Sequence, residues 1–297
     1  MILGLIAAGL AWLYVPRKPA DPERFLKHRT AIVSVHARDS VSSEGRLLRE
    51  IELQTEEGLR IEGRLSLPPG DGPFPAVILQ GGLNTGSKVL FYLTEPGPVV
   101  WAGLDYPYRL PRRAGFVTVL RAMPRLRAKT EETVGALLVL LDYLESLPQV
   151  NPDRTIILGG SLGAPFAALT GAIEPRFEGV GLLYGGGDLA RVAEARVPFH
   201  SPLARACTRM LLRPWLDPVD PIHFVPRIYP RPVLLVNGRE DTDIPRHSVD
   251  LLHAATREPK TIVWVDTPHK VQGNAALTDS VTQVVWAWLE RQGWRRH

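Results

Sequence analysis

Residues 155–171 read TIILGGSLGAPFAALTG, and this stretch limits the fold more than any other in the chain. Thr155 to Leu158 is a short apolar run of the kind that forms a strand buried on both faces. Gly159-Gly160-Ser161-Leu162-Gly163 follows and fits the pattern G-x-S-x-G. Ala164 to Gly171 is rich in small residues and reads as a helix. Such a strand–turn–helix leaves the serine standing at the end of a strand, and the flanking glycines let the backbone pack closely at the turn. Pro165 falls in the first helical turn, where its missing N–H does no harm. The helix N-terminus places partial positive charge beside Ser161.

The same alternation continues along the 297 residues. Ala76–Leu79, Val99–Leu104, Val180–Tyr184, Val233–Val236 and Thr261–Val265 are further short apolar runs. Thr130–Ser146 carries Val134, Leu137, Leu138 and Leu141 on one helical face. Arg246–Thr256 and the segment holding Val281, Val284, Val285 and Trp288 also read as helices. Ahead of them, Leu48–Leu53 and Leu59–Leu67 alternate in polarity around Glu57-Gly58, which predicts a hairpin. The expected fold class is therefore α/β, a mostly parallel sheet with helices on both faces. Residues 106–128 are rich in Pro and Arg, and Phe116–Leu120 reads either as a short strand or as a buried turn of helix. Residues 188–229 contain no clean strand and several prolines.

Charge narrows the function classes. Lys and Arg number 35 against 31 Asp and Glu, a net charge of +4, without a dense basic block. That balance gives no sign of a nucleic-acid partner. The single cysteine, Cys207, excludes an intrachain disulfide and a cysteine-based metal site, and reads as a small buried residue. Met1 to Val15 is apolar throughout and is followed by Pro16, Arg17 and Lys18. Residues 1–16 are accordingly expected to form a hydrophobic anchor, with membrane association through residues 2–15. The basic pair after the run puts the body in the cytoplasm; a soluble or an exported protein is the alternative. Residues 17–45 read as a linker or ancillary segment, and residues 46–297 as the main domain.

A serine hydroxyl is a poor nucleophile near neutral pH and needs a base oriented by a carboxylate. An acid and then a histidine are expected just after later strands. Asn237-Gly238-Arg239-Glu240-Asp241-Thr242-Asp243-Ile244-Pro245 follows the strand at 233–236. Here the sequence resembles the α/β-hydrolase superfamily, whose members often carry G-x-x-D-x-x-V-P at this point. The resemblance puts the acid on Asp241, with Asp243 and Asp188 as rivals. It puts the base on His269, in the loop after the last strand. His247 and His253 fall on the intervening helix and read as surface residues. The order Ser161, Asp241, His269 is the order of this fold.

The resemblance also implies two backbone N–H donors for an oxyanion. One is Leu162, after the nucleophile. The other is Leu83 when the loop is aligned on Pro75, or Gly82 when it is aligned on Gln80-Gly81. Gly81–Lys88 lacks the Gly-Lys-Ser/Thr of a phosphate loop. Within the superfamily the chain looks closest to the dienelactone-hydrolase, acetylxylan-esterase and prolyl-oligopeptidase-like branch. That implies a small-molecule ester substrate, cleaved without metal or organic cofactor. The resemblance also implies a short cap insertion at 188–229, whose Phe199, Met210, Trp215 and Phe224 suit either the roof of an acyl pocket or ordinary packing. A peptidase or an acyltransferase on the same triad, and a membrane-anchored binding protein without catalysis, are the other readings.

Overall fold

A computed structural model describes residues 18–42, 45–82, 85–108, 116–197, 201–269 and 275–295. The runs 1–15 and 83–84 therefore lie outside the described residues, and with them the expected anchor and Leu83. No helix among the described residues is long and apolar enough to cross a membrane, so the expected attachment has no support there.

Nine strands form one sheet. They are β1 (Ile32–Val41), β2 (Leu47–Thr55), β3 (Arg60–Leu67), β4 (Phe74–Gln80), β5 (Val100–Leu104), β6 (Val150–Gly160), β7 (Phe177–Leu183), β8 (Val233–Gly238) and β9 (Lys260–Val265). Their order is β1-β2-β3-β5-β4-β6-β7-β8-β9. The first three pair antiparallel, as does β3 with β5. From β5 onward every neighbour is parallel. Parallel neighbours need crossovers, and helices supply most of them. The helices are α1 (Glu23–Leu26), α2 (Phe116–Glu145), α3 (Gly163–Ile173), α4 (Leu189–Ala195), α5 (Pro202–Leu216), α6 (Arg246–Ala255) and α7 (Ala275–Arg291). A 3-10 turn, Gly86–Tyr92, lies between β4 and β5.

Successive strand side chains point to opposite faces, so the sheet feeds two cores. Ala76, Ile78, Ile157, Val180 and Leu235 enter the layer that holds Leu137, Leu141, Phe166 and Leu169 of α2 and α3. Val77, Leu79, Ile156, Leu158 and Leu234 enter the layer that holds Val285, Trp286, Trp288 and Leu289 of α7. The continuous apolar runs of the central strands follow from this double burial.

Three expectations need correction. Residues 17–45 are no linker: β1 is the edge strand of the sheet, and Phe25 of α1 is fully buried, edge-on to Phe224 with ring centroids 6.2 Å apart. The polar surface of β1 hid it, because an edge strand with one solvated face shows weak alternation. Residues 116–145 form one helix that runs through Pro124, the residue that obscured its period. Cys207 is exposed on α5.

The segment 188–229 holds α4, α5 and three short 3-10 turns. Ala190, Leu212 and Trp215 pack with Met123 of α2, and Phe224 lies in the main core. For Trp215 and Phe224, then, the packing reading holds.

Phe25→Ala in the full chain is expected to lower unfolding stability by about 3–5 kcal/mol, the usual result of emptying a buried phenylalanine site. Urea denaturation would measure it, and a loss within the noise would show that the N-terminal segment is not part of the core.

Candidate active site

The turn between β6 and α3 is set by close backbone approach. A Cβ on Gly159 would lie 2.2 Å from the Gly163 carbonyl oxygen, and one on Gly163 would lie 2.0 Å from the Gln80 carbonyl oxygen. No side chain fits at either position. Between them Ser161 takes φ 54°, the left-handed region that L-residues seldom adopt. Its N–H donates to the Leu183 carbonyl (2.8 Å) and its carbonyl accepts from the Ala164 N–H (3.0 Å), so the strained turn is held on both sides.

Ser161 Oγ lies 2.7 Å from His269 Nε2, and His269 Nδ1 lies 2.8 Å from Asp241 Oδ2. An ionised carboxylate only accepts, so Nδ1 carries the proton and Nε2 is free to accept from the serine hydroxyl. The His269 and Asp241 side chains are 8% and 3% exposed, which keeps water from competing for this chain. The other carboxylate oxygen, Oδ1, accepts from the N–H groups of Asp243 (2.8 Å) and Ile244 (3.1 Å). One oxygen of Asp241 is thus fixed by its own turn while the other holds His269.

Near Ser161, a Cβ on Gly82 would sit 3.6 Å from the serine Cβ. Tyr106, two residues beyond β5, donates from its hydroxyl to the Gly81 carbonyl (2.7 Å). In a trans peptide the C=O and the next N–H point opposite ways. Fixing the Gly81 carbonyl therefore fixes the direction of the Gly82 N–H. Burial pushes the Tyr106 phenol above its ordinary range, so it stays a donor. The same loop is tied down further on. Asp105 accepts from the Ser87 N–H (3.0 Å) and hydroxyl (2.8 Å), and its second oxygen accepts from Arg64 (3.1 Å).

Three comparisons with known proteins bear on this arrangement. No family model matches the chain. Esterase FrsA of Klebsiella pneumoniae (strain 342) is 31% identical over 134 residues, 43% of this chain and 29% of that protein. Esterase FrsA of Escherichia coli O157:H7 is 29% identical over 140 residues, 46% of this chain and 31% of that protein. The chain thus spans less than a third of the curated relatives it matches. Among solved structures, acetyl xylan esterase 1 from Thermoanaerobacterium sp. JW/SL YS485 superposes with TM-score 0.64 at 17% identity, over 92% of this chain and 96% of that one. Acetyl xylan esterase from Paenibacillus sp. R4 gives TM-score 0.65 at 14% identity, over 94% and 99%.

This chain has the α/β-hydrolase fold.

In this chain the two rival acids make other contacts. Asp188 caps α4, accepting from the Arg191 N–H, and pairs with the Arg191 side chain. Asp243 gives its N–H to Asp241 while its carboxylate faces Arg196. Leu162 stands at the start of α3, next to Ser161, and Gly82 lies across from it. Two residues near the site had no sequence signal beyond position. Tyr184 directly follows β7 and Tyr106 lies two residues beyond β5, at the strand ends where an α/β sheet gathers functional groups. Tyr184 takes φ 54°, stacks edge-on against His269 at 5.7 Å, and shares a 2.6 Å hydrogen bond with the Thr267 hydroxyl.

His253 is not a surface residue. It is 8% exposed, and its Nε2 lies 3.0 Å from Asn237 Oδ1. Asn237 in turn donates to the Gly185 carbonyl (2.9 Å), tying α6 and β8 to the loop after β7. Burial lowers the His253 pKa to about 4. The fold therefore favours the neutral ring. The contribution is complete above the unfolded value near 6.5 and is lost as pH falls from there through 4. The melting-temperature advantage of the natural protein over His253→Gln is expected to shrink as pH is lowered from about 6.5 to 4. Calorimetry of both proteins across that range checks it, and a constant difference would contradict it.

Proposed function

We propose that this hydrolase cleaves carboxylic esters through an acyl-enzyme formed on Ser161. The observation that carries the reading is the unbroken chain of hydrogen bonds from Ser161 through His269 to Asp241. Esterase FrsA and the acetyl xylan esterases, similar to this chain in sequence and in fold respectively, support the reaction class.

In the proposed sequence Ser161 Oγ attacks the ester carbonyl carbon while His269 Nε2 takes its proton. Asp241 holds the imidazole in the required tautomer and stabilises the imidazolium. Negative charge develops on the former carbonyl oxygen. The N–H of Leu162, at the positive end of α3, and the N–H of Gly82 are the described groups suited to receive it. For Leu83, the other candidate donor, the assignment rests on the sequence alone. The imidazolium then gives its proton to the leaving alcohol. A water molecule attacks the acyl-enzyme, His269 again takes the proton, and the acid is released with Ser161 regenerated.

Ser161→Ala is expected to lower kcat/KM on p-nitrophenyl acetate by at least about 10³-fold, and Asp241→Asn by a comparable factor with the fold intact. A fluorophosphonate probe should label the natural protein at Ser161 alone. Full turnover by Ser161→Ala, or a stoichiometric adduct at another residue, would refute the assignment.

A further inference from the structure

A cavity of about 110 Å³ opens beside Ser161 and His269 and runs inward between the sheet and α7. Among the described residues its inner walls are Leu79, Leu158, Trp101, Val89, Val281 and Val285. Trp101, at 1% exposed, closes the inner end. Its indole N–H donates to the Pro96 carbonyl (2.7 Å), so it offers the cavity only ring carbon. Two of the polar side chains along the walls are engaged as well. The Thr282 hydroxyl donates to the Thr278 carbonyl (3.0 Å) and the Tyr184 hydroxyl bonds Thr267. The walls leave little for a sugar or a charged group to bond to. A hydrocarbon chain loses nothing there and gains the removal of its surface from water.

We infer that this cavity holds the acyl chain of the substrate, and that the enzyme prefers short, unbranched aliphatic acyl groups whose length is set by Trp101, Val281 and Val285. The inference rests on the esterase reading above. The acyl side is assigned because the walls are apolar and run inward to the buried Trp101. The alcohol must leave after the first step, while the acyl group stays covalently attached to Ser161 until water arrives. A partly enclosed apolar pocket suits the part that stays. Its size sets the length. A dry cavity of about 150 Å³ takes benzene, with six carbons, so one of 110 Å³ takes about four. Four carbons beyond the carbonyl is a pentanoyl group. Each methylene that enters is expected to raise kcat/KM about fourfold until the chain meets the indole.

The test is hydrolysis of p-nitrophenyl esters from acetate to dodecanoate, with a parallel series of acetates whose alcohols lengthen from methanol to hexanol. A maximum at butanoate to hexanoate is expected, with kcat/KM lower by at least about tenfold at decanoate. Val285→Phe should lower the hexanoate-to-acetate ratio by about tenfold or more. Val285→Ala should shift the maximum toward longer chains. Phosphonate labelling of Ser161 in each variant counts the folded sites, so the ratios refer to active protein. If Ser161-dependent acetate hydrolysis is present but the acyl profile is flat, or is unmoved by both substitutions, the pocket assignment is wrong and the esterase reading stands. A chain-length preference on the alcohol series instead would overturn the acyl assignment. Absence of both hydrolysis and labelling would overturn the pocket and the esterase reading together.

Discussion

The backbone of the β6–α3 turn touches the end of β4, and the site depends on that contact. With only hydrogen at position 163, the start of α3 lies against the Gln80 carbonyl, where any larger group would meet it at 2.0 Å. The parallel register of β4 with β6, Gln80 opposite Gly159, brings the two strand ends level. Ser161 and the Gly81-Gly82 peptide consequently emerge side by side. Because β6 also pairs with β7, and β7 with β8, the acid turn and the last loop arrive at the same rim. The triad is assembled by strand register, with no helix required to bend toward it.

Electrostatic preparation follows the same economy of parts. Asp241 binds its histidine with one oxygen and its own turn with the other. In the proposed reaction nothing must move for the imidazole to take a proton, because the carboxylate that faces it is already oriented. On the opposite side, Tyr106, Asp105, Ser87 and Arg64 hold the loop after β4 through side-chain bonds.

Much of this was legible in the sequence for a definite reason. Buried parallel strands leave continuous apolar runs, and β4 through β9 each show one. Gly159 and Gly163 were legible because their requirement is absolute. Asp241 and His269 were found through chain order and the Gly238–Pro245 spacing. What stayed hidden depends on contacts between distant residues. Phe25 gives no local sign that it meets Phe224, and β1 carries its pairing in backbone groups that composition does not register. His253 sits at a position on α6 that reads as polar surface. Its burial comes from α6 lying over Asn237 and Trp264. Tyr106 falls in a Pro- and Arg-rich stretch where periodicity gave nothing.

The left-handed backbone at Ser161 has a wider meaning for how this fold is maintained. The non-glycine residues at positive φ among the described residues, Ser161, Tyr184 and Asp188, all lie at or just beyond the carboxyl ends of neighbouring strands β6 and β7. A chain optimised only for folding would place glycine at such positions, since glycine adopts them without steric penalty. At position 161 the sequence retains the hydroxyl and tolerates the strain. On the proposed reaction, stability and reactivity therefore make opposite demands on this one residue.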